Sequence, residues 1–179
     1  LQPSLLGAVA SVTSDSLDAS LSDNVTNYDL SVGRTIDADS VVEILLPTTD
    51  LIWDKFSNRI FASIPNVNSP HKNNLLSFDP MSGVFDEPIP VGQDPSKLAI
   101  SSDGSFIYSG LEGEAAIQRV NKAARIADKK FPTLRNTIFD LEVMPGNPSN
   151  VVGMAYLSPD VVVYADGQIL PGIVTPGSY

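Results

Sequence analysis

Leu51-Ile52-Trp53-Asp54, Leu98-Ala99-Ile100-Ser101 and Leu141-Glu142-Val143-Met144 decide how this chain folds, because each opens the same succession of residues. A polar turn follows every time: Lys55 to Arg59, Ser102 to Ser105 and Pro145 to Asn150. Second apolar runs come next at 60–64, 106–111 and 151–156, then third runs at 74–78, 116–120 and 161–164. Turns at 79–83, 121–124 and 166–167 lead to fourth segments at 87–91, 126–131 and 168–173. Leu98 lies 47 residues after Leu51, and Leu141 lies 43 residues after Leu98. A four-strand unit at a period of about 40 residues is the sequence signature of propeller blades.

The residue types agree with the period. The apolar runs are short, rich in Val, Ile, Phe and Tyr, and bounded by Gly, Pro, Asn, Asp and Ser, which is the pattern of strands rather than helices. Asp103-Gly104 and Asp166-Gly167 suit the positive φ angles of tight hairpin turns. Residues 112–128 carry several alanines that favour helix, yet Ile117, Val120 and Ile126 keep strand spacing between strand neighbours, so a hairpin is expected there. The expected fold is all-β: a partial β-propeller of about three four-stranded blades over 49–179. Residues 36–48 form a linker and a strand leading into the first blade. Residues 1–35 lie outside the period and supply two strands, Leu6 to Val12 and Val25 to Val32, which read as the last hairpin of a β-sandwich.

Composition removes several function classes. The 179 residues carry 21 acidic and 11 basic side chains, a net charge of −10, which repels phosphate backbones and anionic headgroups and sets nucleic-acid and membrane-surface binding aside. No run of about 18 apolar residues is present to insert in a membrane. The absence of cysteine removes disulfides, thiolate metal sites and cysteine nucleophiles, and His71 as the sole histidine removes two-histidine metal sites. Three blades do not close a ring, since blade faces and strand edges would be left bare. The remaining blades are therefore expected from a longer chain of which this sequence is a fragment.

Val91-Gly92-x-x-Pro95-x-x-Leu98-Ala99-Ile100-Ser101-x-Asp103-Gly104-x-x-Ile107-Tyr108 resembles the repeat signature of the YVTN-type bacterial β-propellers, and the resemblance extends over Val41 to Ile173. Val9-Ala10-Ser11-Val12-Thr13-Ser14-Asp15 with Asp18 and Asp23-Asn24-x-Thr26 is similar to the closing hairpin of the immunoglobulin-like conserved-repeat domain that such proteins string in tandem. The resemblance implies a secreted or surface-displayed bacterial multidomain protein. Its propeller and sandwich modules would serve as spacers and as interaction surfaces for protein or glycan ligands. It carries over no catalytic residues, because the repeat is defined by structural positions.

Three constellations bear chemistry. Asp15, Asp18 and Asp23, with Asn24, would supply oxygen ligands to calcium, although their spacing is not that of an EF-hand and a solvated acidic loop accounts for them more simply. Asp54 and Asp140 fall near strand ends at the expected channel mouth. Paired carboxylates there would hold a divalent cation for a hydrolase of the sugar-lactone esterase type, against which stand turn and surface roles. Trp53 and Tyr156 are the aromatic residues from which a glycan site would be built, though Trp53, following Leu51-Ile52 in an inner strand, is read more simply as core. Lys122, Arg125, Lys129 and Lys130 form the only basic cluster and read as a solvated hairpin edge that blocks strand addition. A non-catalytic scaffold or interaction module is the leading expectation, and the hydrolase its alternative.

Overall fold

The structure, a computed structural model, describes residues 43–133, 138–155 and 161–171, and the backbone pairing of 6–11 and 25–30. The chain divides into two compact units, 1–43 and 44–179. In the first unit β1 (Leu6–Ser11) and β2 (Val25–Leu30) pair antiparallel from Leu6 opposite Leu30 to Ser11 opposite Val25.

The second unit holds three four-stranded antiparallel meanders. The first blade is β3 (Asp50–Asp54), β4 (Arg59–Ile64), β5 (Asn74–Phe78) and β6 (Ile89–Pro90). The second is β7 (Pro95–Ile100), β8 (Phe106–Leu111), β9 (Ala116–Asn121) and β10 (Ile126–Pro132). The third is β11 (Ile138–Val143), β12 (Asn150–Ala155), β13 (Val161–Ala165) and β14 (Gln168–Ile169). Residues 112–128 form the turn and hairpin that strand spacing required, and no helix among the described residues is long and apolar enough to cross a membrane. β7 packs against both β3 and β11, so the first strands lie side by side at the inner edge of an arc.

Strand registers bring the three blades into correspondence. Leu51 pairs with Ala62, Leu98 with Ser109 and Leu141 with Gly153. On the next rung Leu75 faces Ser63, Ile117 faces Gly110 and Val161 faces Met154. Because side chains alternate across a strand, every blade has a leading face toward the preceding blade and a trailing face toward the following one. Phe61 and Leu75 on the trailing face of blade 1 pack with Leu98, Ile107 and Val120 of blade 2. Tyr108 and Ile117 of blade 2 pack in the same way with Leu141, Val143 and Val151 of blade 3. Each such fully buried aliphatic side chain contributes roughly 1.5–3 kcal/mol, so the two blade joints hold most of the buried hydrophobic residues described in the second unit.

Two outer segments differ from expectation. The fourth strands of blades 1 and 3 shrink to two residues each, Ile89–Pro90 and Gln168–Ile169. They pair on one side only, and prolines at 88 and 90 remove ladder donors in the first. Residues 43–48 form no strand. Ile44 and Leu46 instead pack on the cluster of Ala62, Ile64, Leu76 and Phe78 that covers the outer half of blade 1's leading face. Residues 41 and 42 of the expected leading strand lie outside the described residues.

Candidate functional site

The turns that follow β3, β5, β9 and β11 share one end of the arc, and this end gathers the charged chemistry. Asp54, the last residue of β3, is fully buried on the trailing face of blade 1. Its carboxylate accepts from Phe56 N at 3.0 Å, from Ser57 Oγ, and from Lys122 Nζ of blade 2 at 2.6 Å. Burial alone would raise its pKa, but the hydrogen bonds from Lys122, Ser57 and Phe56 outweigh burial and hold the carboxyl below the usual range. Lys122 also lies 5.1 Å from the centre of the Phe56 ring. That ring occupies the space where a Cβ on Gly104 (φ +72) would stand, so glycine is required there both for the turn and for the contact.

Beside this pair a cleft of about 540 Å³ opens between blades 1 and 2, lined among others by Arg59, Asp86, Glu87, Lys122 and Arg125, with Phe61 at its base. Arg59 is paired with Asp79 at 3.0 Å and Asp86 at 3.2 Å. Arg125 reaches from blade 2 to Ser77 Oγ and the Glu87 carbonyl of blade 1. In the repeat register Asn121–Arg125 corresponds to Asp79–Gly83, and Arg125 (φ 54) takes the left-handed position that Gly83 (φ 70) fills in blade 1. A non-glycine residue there costs about 1 kcal/mol, which the bonds across the joint offset.

The same end carries exposed apolar side chains: Phe56, Met81, Val84, Ile126 and Met144. They sit on or beside the turns between charged groups already engaged with one another. The basic cluster is accordingly more than a solvated edge: Lys129 and Lys130 lie on the edge strand β10, and Lys130 is exposed. Lys122 and Arg125 tie blade 2 to blade 1, Lys130 pairs with Glu114 at 2.5 Å, and Arg119 and Lys129 converge on Asp166 of blade 3 at 3.2 and 2.6 Å. In a β-meander the neighbours of a hairpin turn belong to the next blade, a proximity that local sequence does not display.

Asp103 caps the β7–β8 turn. It accepts from Ser101 Oγ at 2.7 Å, Ser105 N at 3.0 Å and Ser105 Oγ at 2.8 Å, and these bonds lower its pKa to about 2. A folded-state pKa below the ordinary 3.8 stabilises the fold at pH values above 3.8, and this contribution is lost as pH falls from 3.8 through 2. Urea unfolding between pH 7 and 2.5 is expected to show that loss, and Asp103→Asn is expected to flatten the acid limb of the curve. An unchanged limb in the variant would remove this role from Asp103.

The sequence-selected residues scatter. Asp54 is a blade tie. Asp140 is exposed, with Oδ1 accepting from Leu141 N at 3.0 Å. Asp140 corresponds in register to Asp50, four residues before Asp54, or about 13 Å along a strand, so the two carboxylates do not converge on one ion. Trp53 is half exposed, which corrects its reading as core: its face of β3 is the leading face of blade 1, and residues 44–46 cover only the outer half of that face. Tyr156 lies outside the described residues, as do Asp15, Asp18 and Asp23. Among the described residues no three His, Asp or Glu groups are placed to hold a metal ion. The blade ties were missed, although Asp54 occupies a position that is uncharged in the other repeats, Ser101 and Met144, a signal present in the alignment.

Solved structures supply the comparison for this architecture. The RRP9 WD40 repeats superpose with a TM-score of 0.60 at 18% identity, over 76% of this chain and 40% of that one. The U3-55K structure gives 0.60 at 17% identity, over 76% and 41%. Hydrazine synthase of Kuenenia stuttgartiensis gives 0.58 at 12% identity, over 72% and 36%. This chain folds as an arc of a β-propeller. It spans about two-fifths of the solved chains it matches. No family model matches it, and no curated protein matches it.

Proposed function

We propose that the propeller arc is a non-catalytic interaction module whose binding surface is the end bearing Phe56, Met81, Val84, Ile126 and Met144. The observation that carries this reading is the composition of that end: protruding apolar side chains around a cleft whose charged walls are fixed by ties between blades. Isolated apolar residues on a surface need no explanation, but several around a rigid polar cleft have the make-up of a protein-docking patch. The resemblance of 91–108 to the YVTN-type repeat, and of the stretch from Val9 to Thr26 to an immunoglobulin-like closing hairpin, supports placing it in a secreted or surface-displayed bacterial protein. The ligand on this reading is a protein rather than a glycan, because Trp53 lies on the leading face of blade 1 and not at the turn end.

The test places a photo-cross-linking residue at Met81 and, at the opposite end, at Val67, in the protein presented to the mixture of proteins it meets at the cell surface. One defined adduct at Met81, lost on Val84→Asp and absent at Val67, is the expected result. Equal labelling at both ends overturns the reading. So does calcium-dependent turnover of a sugar-lactone panel that disappears in Asp140→Ala, which would establish the hydrolase instead.

A further inference from the structure

In the cleft between blades 1 and 2, one cation has no carboxylate. Arg59 is paired with Asp79 and Asp86, and Lys122 with Asp54. Among the described residues, Arg125 is within ion-pair reach of no acid. Its two terminal nitrogens lie 3.3 Å from Ser77 Oγ, and one also donates to the Glu87 carbonyl. A guanidinium presents five N–H donors in a planar fork, so these two acceptors occupy only part of it. Arg125 also sits at φ 54, where the corresponding residues of the other blades are Gly83 (φ 70) and Gly167 (φ 79). A non-glycine residue held in that strained region, with its side chain set on a cleft, points to a role for the side chain.

The charges left unanswered set the sign of the ligand. Lys55, on the turn that carries Phe56, lies 5.1 Å from the centre of that ring and has no acidic partner among the described residues. Against the two free cations, Arg125 and Lys55, the cleft holds one carboxylate without a cation, that of Glu87. Asp86, in the same wall, is already bonded by Arg59 at 3.2 Å and by Ser77 Oγ at 2.7 Å. A carboxylate matches the guanidinium fork in a bidentate pair. A phosphate monoester would bring about two negative charges against Glu87 and Asp86, so these walls favour the single charge. The volume of about 540 Å³ is that of a pocket able to enclose a small group of side chains.

We propose that the cleft receives the carboxylate of an Asp or Glu side chain from a protein partner, with Arg125 as its bidentate donor. Apolar residues flanking that acid in the partner lie on Phe56, Met81 and Val84, which are exposed at the same end. The inference rests on the turn end being the docking surface and adds the chemistry of what docks there. Glu87 limits the site to one negative charge, and the ties of Arg59 and Lys122 to blade 1 acids hold the walls in place.

The probe is a displayed library of random linear peptides, panned on the 179-residue chain, with the recovered peptides synthesised and their affinities measured by fluorescence anisotropy. They are expected to carry Asp or Glu beside apolar residues and to cross-link at Met81. Arg125→Gly, which places at that φ the residue the other blades carry, should weaken them about tenfold or more, and Arg125→Lys should weaken them less. Glu87→Gln leaves the backbone carbonyl that Arg125 uses and removes a like charge, so it should tighten them about threefold. Peptides rich in Lys and Arg that Glu87→Gln weakens overturn the inference and leave the turn end as the docking surface. Acidic peptides indifferent to both substitutions overturn it as well, and tighter binding of a phosphoserine version overturns the choice of a carboxylate. Recovered peptides that cross-link at Val67 instead of Met81, or no enrichment over the unpanned library, overturn the docking surface itself.

Discussion

Lys122→Met is expected to lower the unfolding free energy by about 3 kcal/mol, because removing one partner of a buried ion pair leaves the other charge uncompensated. Asp54 would keep Ser57 Oγ and Phe56 N as donors, two bonds that do not balance the desolvation of a carboxylate with no exposed surface. The sign of the pH dependence identifies the cause. With Lys122 present, Asp54 titrates below its ordinary value, so its contribution is present above that value and lost as pH falls through the folded pKa. Without Lys122, burial raises the folded pKa, and the variant recovers as the carboxyl becomes protonated. The gap between the two proteins should therefore be wide at pH 7 and close toward pH 4. Asp54→Asn combined with Lys122→Met should recover much of the loss, since neither buried charge then remains. Denaturant unfolding of the wild type and these two variants at both pH values measures this. A loss of equal size at pH 7 and pH 4 would show that lost packing of the lysine stem, and not the charge, is responsible.

That pair marks the boundary of what the sequence displays. Strand order, the hairpin at 112–128 and the blade period were legible because each follows from local alternation and turn chemistry, which repeat three times at 47 and 43 residues. The contact between Asp54 and Lys122, 68 residues apart, depends on which turn of one blade lies over which turn of the next. That is a property of the stacking of sheets and not of any one sheet. The exposure of Trp53 has the same origin: Leu51-Ile52-Trp53 has the composition of a core strand, and only the position of its blade in the arc leaves one face open. Aligning the three repeats residue by residue, and asking where a charge replaces an uncharged residue, would have singled out Asp54, against Ser101 and Met144, and Arg125, against Gly83 and Gly167. Asp140 was selected by its place near a strand end, and the register shows that place to be the blade-joint position of Asp50.

Truncation at one repeat position should give two large losses and one small one. Leu75→Ala and Ile117→Ala remove side chains that are wholly buried at the two internal joints, and each should cost about 3 kcal/mol, the transfer term plus the cavity left between two sheets that cannot collapse together. Val161→Ala removes the corresponding side chain from the trailing face of blade 3, where no sheet covers it, and should cost less than about 1 kcal/mol. Valine carries one carbon fewer, which accounts for about 0.8 kcal/mol of the difference. The rest is the missing neighbour. Chemical denaturation of the three variants at constant m-value measures the series, and a Val161→Ala loss as large as the other two would mean that its face is already covered in this chain.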